Sequence, residues 1–303
     1  MTVRSLVFAL FVLLAGLPPA AAQEKTQEKI PVVATFSILG DFVRNVGGDR
    51  VAVSTLVQPN GDAHVYQPSP ADAKKVADAK VVFMNGLGLE GWFDRLVKAS
   101  GGKGRIVIAT KGIKPLEMTE EEGGHAEKKT DPHAWQSIAN AKVYAVNIRD
   151  ALIAADPAGR KVYEANAADY LKRLTETEKK VKEAIAKIPP ERRRVITTHD
   201  AFGYFAKAYG MEFIAPQGVS TESEASAKDV AKIIVQIREQ KIPAVFLENI
   251  SDPRLMQQIA NETSAKIGGT VYSDSLSDEK GPASTYIDMM EHNIHQFSVA
   301  LTS

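Results

Sequence analysis

Three histidines and one aspartate in this chain are placed where a metal could be held. His64 lies in the loop at 58–64 that leaves a predicted strand, 51–57. His199 comes directly after another predicted strand, 195–197, in Thr-Thr-His-Asp, and Asp274 follows a third, 270–272, in Tyr-Ser-Asp-Ser-Leu. In open parallel sheets ligands bind outside the carboxyl ends of the strands, so these three residues can face one crevice. His133, in Asp131-Pro132-His133-Ala134-Trp135, opens the next predicted helix. Taken singly, each histidine is more often a surface or hydrogen-bonded residue than a ligand. Taken together, three imidazoles and a carboxylate suit a borderline cation such as zinc, with manganese or ferrous iron also compatible.

The element that must position them is a long helix predicted over 156–188. Asp156-Pro157 supplies an N-cap acceptor and a proline at the first helical position, and Pro189-Pro190 ends the run. Between them Tyr163, Ala167, Tyr170, Leu174, Val181, Ile185 and Ile188 recur at steps of three, four or seven, an apolar stripe on an otherwise charged helix. At roughly 1.5 Å per residue such a rod reaches ~48 Å, longer than a small lobe is wide. It can therefore span two lobes, with His64 and His133 before it and His199 and Asp274 after it.

On either side the chain alternates strands and helices. Strands are predicted at 30–36, 51–57, 81–84 and 106–109, and after the rod at 195–197, 212–215, 245–247 and 270–272. Each is nearly continuously apolar, which argues for parallel sheets covered on both faces. The expected fold is α/β, two lobes each with a parallel sheet flanked by helices, joined by one long helix. The boundaries are 1–22 for a signal peptide, 23–155 for the first lobe, 156–188 for the linking helix and 189–303 for the second lobe. A polar, acidic stretch at 119–130 reads as a mobile surface loop.

Composition narrows the partners. The chain has 37 basic and 37 acidic residues and 44% hydrophobic content, so nothing points to nucleic acid, and a monomer is expected. Residues 1–22 carry Arg4, an apolar run at 6–17, then Pro18-Pro19 and Ala20-Ala21-Ala22, the pattern of a cleavable secretory signal. The run is too short for a membrane span, which needs ~20 residues. There is no cysteine, hence no disulfide and no thiol acceptor for a lipid. The expected address is the periplasm, with no lipid anchor.

Four segments carry a resemblance. Asp62-Ala63-His64-Val65-Tyr66-Gln67-Pro68-Ser69-Pro70, Asp131-Pro132-His133-Ala134-Trp135, Thr198-His199-Asp200-Ala201-Phe202-Gly203-Tyr204-Phe205 and Tyr272-Ser273-Asp274-Ser275-Leu276 resemble signatures of the zinc/manganese-specific solute-binding proteins of bacterial ABC importers. The resemblance covers essentially the whole mature chain. It implies a rigid linking helix and one divalent metal in the cleft, handed on to a membrane permease. His64 and His133 would ligate it from the first lobe, His199 and Asp274 from the second. Manganese-type members tend to carry Glu where this chain has His199, so Zn2+ is favoured over Mn2+. Zinc-type members often have a His-rich loop before the Asp-Pro-His motif, whereas 119–130 holds only His125 among glutamates, which weakens that preference without reversing it.

The alternative is a zinc-dependent hydrolase. It would need an open coordination position and a general base, and the chain has no H-E-x-x-H or similar motif. His125 reads as a solvated loop residue. His292 and His295, spaced to share a helical face, read as packing residues of a closing helix beside Met289 and Met290. Trp92 and Trp135 are expected to pack the first lobe, with Trp135 able to screen the site from water. Glu222, Glu224 and Asp229 suit the start of a helix.

Overall fold

The protein is described here by a computed structural model covering residues 28–122 and 125–302; the signal segment read at 1–22 lies outside the described residues. The first half runs β1 (Ile30–Phe36), α1 (Ser37–Gly47), β2 (Val51–Val57), α2 (Pro70–Asp78), β3 (Val81–Met84), α3 (Phe93–Ser100) and β4 (Arg105–Ile108). A hairpin of β5 (Leu116–Glu122) and β6 (His125–Asp131) follows, then α4 (Ile138–Ala155) and the long α5 (Arg160–Ala186). The second half is β7 (Arg194–Ile196), α6 (Gly203–Tyr209), β8 (Glu212–Ile214), α7 (Ala227–Gln240), β9 (Ala244–Glu248), α8 (Arg254–Asn261), β10 (Lys266–Val271) and α9 (Tyr286–Thr302).

Both four-stranded sheets are parallel, one in the order β2-β1-β3-β4 and the other in the order β10-β9-β7-β8. Read from the other edge, the second sheet has the same winding as the first. Each therefore has a switch point beside its first strand, where the connections part to opposite sides and leave a crevice at the carboxyl ends. Local chemistry starts and stops the helices as the sequence implies. Ser69 and Asp72 cap each other at the start of α2 around Pro70, and α1 ends at Gly48 with φ 55°.

The linking helix is shorter than the sequence suggests. Its first turn is a 3-10 turn at Pro157–Gly159, and α5 proper has 27 residues, about 40 Å at roughly 1.5 Å each. Asp156 does not cap it. Its carboxylate accepts from Arg50 at 2.9 and 2.7 Å and from the Tyr163 hydroxyl at 2.7 Å, so it is spent on a tie to the turn before β2. The apolar stripe is buried as expected from Tyr163 to Ile188, with Thr177 filling the gap in its spacing.

Two further expectations change. Where the sequence suggested a surface loop, residues 119–122 and 125–130 belong to the paired strands β5 and β6, from Leu116↔Asp131 to Glu122↔His125. Alternate residues on each strand satisfy an antiparallel ladder without needing an apolar sequence. The sheets are also not covered to their rims. Ile106 and Ile108 on the edge strand β4 are 44% and 50% exposed, and Ile267 on the edge strand β10 is 44% exposed, because only inner strands have neighbours on both sides.

The main hydrophobic core crosses between the two sheets without interruption. Phe42 of α1 meets Tyr286 of α9 at 4.7 Å between ring centroids and Tyr144 of α4 at 5.4 Å. Further along α9, Phe297 packs on Phe205, Phe213 and Phe246 of the second half. A smaller cluster around Ile196, Ile237 and Val245 fills the outer face of the second sheet. Shared packing of this kind resists large hinge movements, since opening would expose the same side chains twice over. Leu174→Ala, on the buried face of α5, should therefore cost about 2–5 kcal/mol. Urea denaturation followed by far-ultraviolet circular dichroism should show that loss in a single transition for both halves.

Candidate metal centre

Asp274 is the point on which the site converges. Its Oδ2 lies 3.1 Å from Nε2 of His64 and 3.1 Å from Nε2 of His199, and its Oδ1 is 3.5 Å from Nε2 of His133. The Nε2 atoms of His64 and His133 face each other at 3.2 Å. One ligand atom from each of the four residues falls within 4.8 Å of the others. His133, His199 and Asp274 are wholly buried, and His64 retains 6% exposure, so the site touches solvent through His64 alone of the four.

Each side chain is aimed by a specific partner. Asp131 Oδ1 accepts from the His133 backbone N–H at 2.9 Å and lies 2.8 Å from its Nδ1. Glu248, at the end of β9, accepts from the backbone of Thr198 and His199 with Oε1 at 2.7 and 3.0 Å. Its Oε2 accepts from Ser273 Oγ at 2.7 Å and sits 2.6 Å from His199 Nδ1. A carboxylate beside Nδ1 keeps the proton there and turns the Nε2 lone pair inward, the arrangement that outer partners of metal-bound histidines adopt. Asp274 is held by its flanks. The Ser273 carbonyl accepts from Trp135 Nε1 and Gln136 Nε2, and Ser275 meets Ser37 at 3.1 Å. Trp135 is wholly buried and its ring packs 5.3 Å from that of His133.

The electrostatics favour a cation. Burial alone would push both imidazoles down, but the Asp274 and Asp131 carboxylates outweigh it and hold His133 up at about 9. Glu248 and Asp274 likewise outweigh burial and keep His199 well above its ordinary value. Burial would raise Asp274, yet the imidazoles of His133 and His199 hold it well below the usual carboxylate range. The pocket therefore attracts positive charge, as protons or as a metal. Asp274 Oδ1 is buried with no hydrogen-bond partner, and a cation would satisfy it. The donor set fits a divalent transition metal of borderline softness.

Gly203 matters through its missing side chain. A Cβ there would lie 2.5 Å from Asp131 Oδ2, so the start of α6 can approach the carboxylate that aims His133 only because the residue is glycine. Composition and spacing single out neither Gly203 nor Glu248, although Glu248 stands at the carboxyl end of a parallel strand, the same signal that marks His199 and Asp274. Asp131 and Asp62 sit inside the quoted motifs, where their second role is invisible without contacts.

The remaining candidates lie elsewhere. His292 Nε2 is 2.9 Å from the Thr270 carbonyl and its ring packs on Tyr272, while His295 points to solvent. The His125 side chain lies outside the described residues. Trp92 donates to the Ala63 carbonyl at 2.8 Å and packs on Tyr66, bracing the loop that carries His64. Asp229 accepts from Ser226 at the start of α7, and Glu222 and Glu224 are exposed.

Two α/β halves of like winding bring together a buried three-histidine, one-aspartate cluster whose ligand atoms are close enough to share a metal ion. The chain belongs to the family described as zinc-uptake complex component A, periplasmic, which matches it over residues 32–300. It is 35% identical over 275 residues to the manganese-binding lipoprotein MntA of Halalkalibacterium halodurans, covering 91% of this chain and 89% of the relative. It is 32% identical over 306 residues to the manganese ABC transporter substrate-binding lipoprotein PsaA of Streptococcus anginosus, covering 98% of each. The solved structure of the periplasmic zinc-binding protein TroA from Treponema pallidum superposes with a TM-score of 0.84 at 29% identity, covering 91% of this chain and all of that one.

These relatives correct one expectation. A mature protein free in the periplasm without a lipid anchor does not stand, because relatives matching almost the whole chain are named lipoproteins. The expectation rested on the lack of one residue type, cysteine, and attachment to a membrane leaves no mark on the folded domain from which it could be denied.

Two outcomes follow from this geometry. Gly203→Ala should displace Asp131 and weaken metal binding by roughly 10–100-fold, the usual cost of losing an outer partner. Isothermal titration against the unaltered protein would measure it. The second concerns pH. His133 sits at about 9 in the folded metal-free protein against an ordinary 6.5, so its stabilising proton is fully in place below 6.5 and is lost as the pH rises through about 9. The melting temperature of chelator-treated protein should accordingly fall between pH 6.5 and 9, and added metal should restore more stability at the upper end.

Proposed function

We propose that His64, His133, His199 and Asp274 together bind one divalent transition metal as cargo, and that the protein hands this ion to the membrane permease of an ABC importer. The convergence of three Nε2 atoms on one buried carboxylate carries the reading. Imidazoles with their Nδ1 atoms against Asp131 and Glu248 present lone pairs to a common point, and those lone pairs repel unless a cation lies among them. Membership of the zinc-uptake family, and relatives named as substrate-binding proteins of metal transporters, support delivery rather than catalysis. A hydrolase would need a water-accessible coordination position with a base beside it, and of the four residues only His64 retains any exposure. The division of the mature chain at 23–155, 156–188 and 189–303 belongs to the same proposal, with two ligands contributed from each side of the linking helix. So does the absence of nucleic-acid partners and a monomeric state.

Within this reading zinc is preferred to manganese, because three nitrogen donors and one carboxylate make a soft, low-coordinate set. Manganese is the second reading. Both oxygens of Asp274 face the histidines, so the carboxylate can offer two donors and raise the coordination number toward what manganese prefers. Relatives named for manganese and for zinc support the two readings in turn.

Alanine at any of the four positions should weaken zinc binding by at least about a hundredfold, since each removes a donor atom from the ion itself. His199→Glu should lower zinc affinity and narrow or reverse the gap to manganese, because a carboxylate is the harder donor. Competitive titration of both metals against each variant would test this. Two alanine variants with unchanged zinc curves would sink the assignment, and an unchanged metal order in the Glu variant would remove His199 from it.

A further inference from the structure

The loop that carries His64 is fastened to the opposite half of the protein at three places: Gln58, whose carbonyl accepts from Ser275 Oγ at 3.4 Å, then Asn60 and Asp62. Asn60 donates its backbone N–H to the Leu276 carbonyl at 3.0 Å and accepts from Asn249 Nδ2 at 3.1 Å. Two residues on, Asp62 divides its carboxylate between two duties. Oδ1 accepts from the His64 backbone N–H at 2.8 Å, and Oδ2 accepts from the Thr221 hydroxyl at 2.6 Å. Thr221 belongs to the loop between β8 and α7. That loop is itself laced to the His199 segment, since Gln217 N–H donates to the Thr198 carbonyl and Asp200 N–H to the Gly218 carbonyl. A continuous tie thus runs from the backbone on both sides of His199, through Thr221 and the Asp62 carboxylate, to the backbone of His64.

We infer that the Asp62–Thr221 contact is the latch that holds His64 over the metal and sets the rate at which the ion leaves. The inference rests on the metal-binding reading of the site. Three observations point to this contact rather than to a hinge. The core is shared between the halves, so a wide opening would break buried aromatic packing. His133 and His199 each have a buried carboxylate against Nδ1, and Asp274 is held through Ser273 and Ser275. His64 alone of the four retains solvent exposure, and Asp62 and Thr221 are only partly buried, so this tie can exchange with water while the others stay dry. Release therefore begins at His64. Once Thr221 lets go, the Asp62–His64 end of the loop can swing outward about the ties that remain at Gln58 and Asn60, leaving the ion on three ligands with an open face.

Asp62 and Thr221 are positioning residues, since neither reaches the ion. The test measures zinc release into excess chelator by stopped flow, alongside equilibrium affinity, for the intact protein and for Thr221→Val, Thr221→Ser and Asp62→Ala. Thr221→Val removes a donor to a charged acceptor at a partly exposed site and should speed release about tenfold. Thr221→Ser keeps the hydroxyl and should release at close to the rate of the unaltered protein. Asp62→Ala loses both duties and should exceed Thr221→Val. Melting of the metal-free variants should shift little, because the Asp62–Thr221 contact is a single hydrogen bond between partly buried residues. A release rate for Thr221→Val within twofold of the unaltered protein would overturn the latch, as would equal acceleration in Thr221→Ser. His133→Ala is the control for the underlying reading. Loss of zinc binding there with normal release in Thr221→Val sinks the latch alone, whereas full zinc binding in His133→Ala sinks the site itself.

Discussion

Everything in this protein is arranged around one buried carboxylate facing three imidazoles. Asp274 has no solvent and no protein donor on Oδ1, and its Oδ2 is shared by two ring nitrogens. Such a group is costly in a low-dielectric interior unless positive charge accompanies it. Protons on His133 and His199 supply that charge in the metal-free protein. A divalent ion would supply it more completely, with one charge centre in place of several. The need for a cation is thus built into the fold before any ion arrives.

Holding that arrangement requires rigidity from both halves at once. Outer carboxylates fix the two wholly buried histidines, and Asp274 is pinned by the indole and amide donors of Trp135 and Gln136 on Ser273. Beneath them the linking helix and α9 carry a single aromatic core from one sheet to the other. Such an arrangement trades range of motion for a preorganised site, and of the four residues only His64 retains any exposure.

Much of the architecture was legible in the chain. The strands β1, β2 and β3 fall where apolar runs predicted them, because those segments are nearly continuously apolar. The β5–β6 hairpin was not legible, since its charged residues follow no apolar alternation and its pairing depends on register between neighbours. Asp156 was misread for a related reason. An Asp before a proline is a good helix cap in isolation, but here Arg50 and Tyr163 compete for the same oxygen more strongly.

The sequence by itself marked the four residues proposed to face the metal and the rhythm that sets three of them after strands. Residue chemistry and a repeated β-α pattern are local properties, readable without contacts. Tertiary structure decided which lone pairs point inward, through Asp131 and Glu248, and that Gly203 must lack a side chain for Asp131 to fit. It also decided that Thr221 would meet Asp62, 159 residues away along the chain. Those facts depend on how two separately wound sheets come together, and no spacing within one segment encodes the distance between atoms on another.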